Sequence, residues 1–243
     1  MIDLAPLAWA LLALAALIAG LGKTAIPGSA TVSVVLFAAV LPARTSTAAM
    51  LLLFIVGDVF ALIAYRRHAH WPTLLRLAPA VVAGLVVGFL FLAYADDAIV
   101  RRAIGIILLL MIAVTLWRRH RDSRPAGGML VGASYGTLAG FTTMVANAGG
   151  PVMSMYFLAT RTTVQVFLGT SAWFFAIVNL VKVPFLAGIG LFTPEVLVMD
   201  LLLAPLVVVG ALVGLRLAKR MPQQLFDRLV IVLTIVGAVY LLF

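Results

Sequence analysis

The stretch GLGKTAIPGSATVS, Gly20 to Ser33, stops an apolar run with Gly22, Lys23, Pro27 and Gly28, then restarts it with Ser29, Thr31 and Ser33. A second stretch, VANAGGPVMS from Val145 to Ser154, does the same about halfway along the chain. Their meaning depends on the sequence that flanks them.

That sequence is oily. Of 243 residues 65% are apolar and only 10% charged, with a mean hydropathy of +1.22. A soluble domain has a surface to cover with polar groups, and this chain cannot cover one. Runs such as Ala48 to Ala64, Leu74 to Ala95 and Ile104 to Trp117 approach the roughly 20 residues that cross a hydrocarbon core. They do not alternate with polar lumen positions, which excludes a β-barrel. The chain reads as an all-α polytopic membrane protein. Its formal charge of +9 resides in short loops, where it sets topology rather than binding nucleic acid. With no cysteine, disulfides and thiolate chemistry are absent. No Lys or Arg precedes Leu4 to Leu21, and Asp3 does, so this segment is expected to be a retained first helix.

The apolar segments fall at 4–21, 28–41, 46–65, 74–94 and 99–117, then at 128–145, 150–160, 163–187, 195–217 and 225–243. The two sets resemble each other. APAVVAGLVVG (Ala78 to Gly88) and APLVVVGALVG (Ala204 to Gly214) share A-P-x4-G-x3-G. AIPGS (Ala25 to Ser29) answers to ANAGG (Ala146 to Gly150), and Asp58 falls opposite Asn179. The expected organisation is a first membrane repeat over 1–117, a basic cytoplasmic linker over 118–127 and a second repeat over 128–243. Segments 28–41 and 150–160 are short, reaching about 21 and 16 Å as helices. Each is either a stubby crossing or the second part of a broken helix. Charge separates these options. If every segment changes side, thirteen loop cations from Lys23 to Arg228 collect on one side and only Arg44, Arg101 and Arg102 on the other. If the short segments do not change side, the bias vanishes. Five crossings per half follow from the positive-inside rule. The halves are then inverted and both termini are periplasmic.

Paired breaks at matching positions of inverted halves point to a binding site, because irregular backbone persists in a bilayer only against protein or a water-filled cavity. The helix restarting after each break offers free N–H groups and a positive dipole end, which suits an anion. Substrate-binding candidates are therefore Lys23, Thr24, Gly28, Ser29, Thr31, Asn147, Gly149, Gly150 and Ser154. Packing by small residues is the competing reading of these glycines. Lys23 could equally snorkel to the interface. Asp58, Asn179 and Lys182 lie within apolar segments, where polar groups are costly. Asp58 could carry protons and Lys182 could act as an anion counter-charge, or the two could form a structural pair. Trp71, Trp117, Tyr65 and Tyr94 sit at segment ends as interface anchors do. Trp173 and Tyr156, near the second break, read as core residues or as a stacking gate.

His68, His70 and His120 all fall in loops, so no metal site, cofactor or catalytic residue is expected. No nucleophile with a general base stands within the membrane segments, and no nucleotide-binding loop is present. The chain is not expected to be an enzyme.

The paired Gly-rich breaks, the basic RRHRDSRPAGG linker and the late APLVVVGALVGLRLAKR together resemble the TauE/SafE sulfite exporter family, also called the toluenesulfonate uptake permease family. The first break reads Gly22-Lys23-Thr24 and Ile26-Pro27-Gly28, where that family tends to show a denser glycine cluster. The resemblance implies a multi-pass protein of the bacterial inner membrane that moves sulfite or organosulfonates by alternating access between the repeats. Its expected partners are lipid, a small anion and protons as coupling ion, and an oligomer is compatible with the sequence. A cation- or proton-linked carrier of another small organic acid and a non-transporting membrane scaffold are the alternatives.

Overall fold

The computed structural model describes residues 4–25, 30–119, 129–160 and 163–217. Among them the chain is helical throughout: α1 (Pro6–Thr24), α2 (Ala30–Val40), α3 (Ala43–Tyr65), α4 (Trp71–Tyr94), α5 (Asp97–Arg119), α6 (Met129–Ala146), α7 (Gly149–Ala159), α8 (Val164–Gly188) and α9 (Pro194–Leu217). One 3-10 turn, Arg66–His68, follows α3. Hydrocarbon leaves a spanning segment no other way to satisfy its backbone. α1 and α4 carry proline in the first helical turn, where the missing N–H costs nothing. α1, α3, α4, α6, α8 and α9 are long and apolar enough to cross a bilayer. The helices match the expected segments to within a few residues. Segment 225–243, most of the central linker, and Gly28 and Ser29 lie outside the described residues.

The second break is a reversal and not a kink. α6 stops before Asn147, whose φ of 50° is left-handed, a conformation Asn tolerates better than most residues. Asn147 N–H returns to Thr143 O and Ala148 N–H to Thr142 O, closing the helix. α7 then folds back along α6. Gly149 abuts Thr143 and Ala139, and the Tyr135 and Tyr156 rings stand 5.9 Å apart, edge to face. The two helices form a hairpin, so a helix continuing through the break is not what the chain makes. α7 has 11 residues, about 16 Å of rise.

Two long seams organise the bundle. α1 packs along α9 and α4 along α6, each pair parallel and each closed by glycine. A Cβ on Gly20 would strike the backbone of Val207 and Ala211, and one on Gly210 that of Leu17 and Leu21. In the other seam, Gly84 lies against Thr137 and Phe141, and Gly140 against Val81 and Leu85. Backbones approach this closely only where one residue of each contact lacks a side chain. The buried stripe of α4 reads Leu74, Leu77, Val81, Gly84 and Gly88. At the aligned positions α9 buries Asp200, Leu203, Val207, Gly210 and Gly214. The shared A-P-x4-G-x3-G motif is thus a helix-packing surface used twice.

α3 and α8 run antiparallel. The end of α3 meets the start of α8, where Gly169 touches Tyr65 O and His68. Deeper in the bundle Asn179 reaches Asp58. The two positions aligned from the sequence therefore meet each other in space.

Candidate functional site

Lys23, in the last turn of α1, turns inward. Its Nζ donates to Asp58 Oδ1 at 2.6 Å, while Asn179 Nδ2 donates to Asp58 Oδ2, also at 2.6 Å. Both carboxylate oxygens are satisfied. The ammonium also sits between two rings, 4.6 Å from the centroid of Phe54 and 4.9 Å from that of Phe175. A cation over an aromatic face gains about 0.5–2 kcal/mol, more when desolvated. The lysine stem needs Gly57, because a Cβ there would stand 2.8 Å from Lys23 Cγ. Lys23 does not snorkel to the interface. Its side chain is long enough to point either way, and the partners lie inward.

Lys182 serves a different end. Fully buried, its Nζ donates to Thr143 O and to Asn147 Oδ1, both at 2.6 Å. Asn147 Nδ2 donates to Thr47 O at 2.9 Å, and Thr47 Oγ1 to Val145 O at 3.0 Å. Thr143 O already accepts from Asn147 N–H and gains Lys182 as a second donor, while Val145 O, past the last helical hydrogen bond, is served by Thr47. A cation there also complements the negative end of the helix dipole. The structural Asp58–Lys182 pair considered from the sequence is therefore not formed. Asp58 takes Lys23, and Lys182 caps α6.

Between these clusters lies a cavity of about 70 Å³, roughly five times what one water needs. Gly22, Lys23 and Ala30 line it from the first break, Thr143, Asn147 and Gly150 from the second, and Asp58 and Asn179 from the bundle centre. It extends past Ala61 and Tyr65 toward the end of α3 and the start of α8, where Leu168, Ser171 and Ala172 complete the wall. The Ser171 hydroxyl is buried and has no hydrogen-bond partner among the described residues. Tyr65, expected as an interface anchor, lines the cavity and donates its hydroxyl to Thr24 O at 2.7 Å.

The remaining candidates stand outside this wall. Thr24 donates to Ala211 O at 2.9 Å and so joins the α1–α9 seam. Thr31 is buried in the first turn of α2. A Cβ on Gly149 would meet Thr143, Ala139 and Phe175 at 3.0–3.3 Å, so its role is in the α6–α7 hairpin. Ser154 Oγ is buried without a partner among the described residues. Phe54, Phe175 and Thr143 were not anticipated from the sequence. A signal existed for the rings: FIVGD and FAIVN place Phe one turn before Asp58 and one turn before Asn179, at aligned positions.

The cavity's net charge follows from these contacts. Lys23 and Asp58 cancel, while Lys182, directly behind Asn147 and Thr143, has no carboxylate partner among the described residues. Protonated, it would stand behind the wall as a positive charge with no counter-charge among the described residues, in a medium that screens it poorly.

No curated protein and no solved structure matches the chain significantly. A family model described as Sulfite exporter TauE/SafE matches residues 12–241, nearly the whole length. The chain, a multi-pass membrane protein, belongs to the sulfite exporter TauE/SafE family.

Proposed function

We propose that this protein is a secondary transporter or facilitator of a small anion, a sulfur oxyanion such as sulfite or an organosulfonate, working in the bacterial inner membrane. The observation that carries this reading is the cavity. Both backbone breaks wall it, and a buried lysine with no carboxylate partner among the described residues stands directly behind it. Its size suits a sulfur atom with its oxygens and a short substituent. The first turn of α2, at Ala30, and that of α7, at Gly150, border it, so two helix N-terminal ends, which favour an anion, stand at the cavity. The Ser171 hydroxyl, otherwise without a partner, and Asn147 add side-chain contacts.

Alternating access between two inverted repeats is supported by the antiparallel run of α3 and α8, by the parallel α1–α9 and α4–α6 seams, and by direction reversing at the second break. The antiparallel run of α3 and α8 and the reversal at the second break favour five passes per half. Under that topology both termini are periplasmic and the loop around Arg121 is cytoplasmic. Alkaline phosphatase fused after Phe243 should be active, and fused near Arg121 inactive; the opposite pattern would reject the orientation.

The transport reading is tested with purified protein in liposomes, following uptake of sulfite, a short alkanesulfonate and acetate. Sulfur anions should enter well above the rate of empty liposomes, and acetate much less. Uptake favouring acetate would support a carrier of small organic acids, and no uptake of any anion would favour a scaffold.

A further inference from the structure

Asp58 is fully engaged by Lys23 and Asn179, and a second carboxyl lies in the membrane region. Asp200, about two turns inside the start of α9, is 6% exposed, and neither of its oxygens has a hydrogen-bond partner among the described residues. An ionised carboxylate in such surroundings is far costlier than a neutral carboxylic acid.

Packing does not call for this residue. The buried stripe of α4 that answers to α9 carries Leu74 at the aligned position, and there leucine is part of the apolar core. Along the five positions compared in the two seams, Asp200 is the one polar departure. It is also near the site. Val207, seven residues on, lies beside Gly57 and the Lys23 stem; seven residues are close to two turns, so Asp200 shares that face about 10 Å away. It lies toward the starts of α1 and α9, whereas the cavity extends toward the end of α3 and the start of α8.

Among the described residues the helices packed most extensively against α9 are α1 and α3. Their titratable or charged groups are Lys23 on α1 and Arg44, Asp58 and Tyr65 on α3. Lys23 and Asp58 bond each other, Tyr65 bonds Thr24 O, and neither Lys23 nor Arg44 forms an ion pair with Asp200. Nothing on those helices holds the charged form.

We infer that Asp200 is a proton-binding site, loaded in the state described here, which takes up a proton from water on one side of the membrane and releases it to the other as the bundle rearranges around the anion cavity. Its role in coupling rests on the transport reading, but its proton occupancy does not.

The test uses the full chain in liposomes. At neutral pH the infrared spectrum should contain a protonated-carboxyl C=O stretch that is lost in Asp200→Asn and moved in Asp200→Glu. Persistence of the wild-type band in Asp200→Asn, or its absence from the wild type, overturns the proposal. In transport, a pH gradient of about one unit supports about tenfold accumulation at one proton per anion. Asp200→Asn should lose that accumulation yet keep anion exchange without a gradient, and accumulation unchanged in Asp200→Asn overturns coupling through this residue. If Asp200→Asn does not fold, the infrared shift in Asp200→Glu decides the same question. A wild type that moves no anion while showing the Asp200-dependent band would sink the transport reading and leave the proton site standing.

Discussion

Lys23→Met should leave little folded protein, while the double variant Lys23→Met, Asp58→Leu should recover most of it. Removing one partner of a buried ion pair strands the other charge and costs about 3–5 kcal/mol, whereas replacing both with apolar side chains is often close to neutral. The single change also empties the space between Phe54 and Phe175 of its cation. Asp58→Leu alone should behave like Lys23→Met, with Asn179 left facing an apolar residue. Lys182→Met is a separate lesion, since it uncaps the end of α6, and combining it with Asp58→Leu should give no rescue. The measurement is the monodisperse fraction of detergent-purified protein after a temperature ramp, read as a double-mutant cycle for each lysine. Rescue of Asp58→Leu by Lys182→Met and not by Lys23→Met would reverse the pairing described above.

Gly84→Ala and Gly210→Ala should each lower stability, and the valine variants should lower it severely. The added methyl of Gly210→Ala would be driven into Leu17 O, and that of Gly84→Ala into Thr137 O. A backbone carbonyl cannot rotate away as a side chain can, so the helices must separate along the seam. Overpacking typically costs about 1–3 kcal/mol and occasionally more, and here the whole helix pair moves to accommodate one group. Gly188→Ala is the matched control, because a Cβ there meets nothing within 4 Å. Thermal unfolding in detergent checks the three together. Equal melting of all three proteins would show that the seams tolerate a methyl and that glycine is not needed to close them.

The fold was largely legible because hydrocarbon imposes a strong rule on sequence. A segment that cannot satisfy its backbone with water must be helical, so apolar run length located the helices to within a few residues. The breaks were legible for the same reason, since Gly, Pro and Asn in such runs need an explanation. The spacing of Gly84 and Gly210 was visible as a shared motif, but their packing against neighbouring backbone was not. Nor were the partners of charged side chains. Lys23 sits at a helix end, where sequence allows it to point to headgroups or to the core. Only the rotation of α1 against α3 brings Asp58 within reach. Lys182 was visible as an intramembrane cation, but its capping of α6 depends on where that helix stops and how α8 passes it. Gly149 looked like a ligand-facing glycine because it belongs to a break, whereas the tight reversal after Asn147 turns it against α6. Asp200 went unremarked inside a long apolar run, and it stands out only when the buried stripes of α4 and α9 are laid side by side.

The contact between Asp58 and Asn179 carries a historical consequence. Under the proposed duplication, residues that align with each other and also touch each other occupy the one kind of place where a doubled molecule meets its own image. Two separate, identical half-length chains would have to put the same residue on both sides: two carboxylates that repel, or two amides with no charge to hold Lys23. Joining the halves in one gene removes that constraint. One side could keep the acid and the other the amide, and a single lysine could then choose between them. On this view the central linker contributes more than connection: it permits a symmetric scaffold to hold an asymmetric centre.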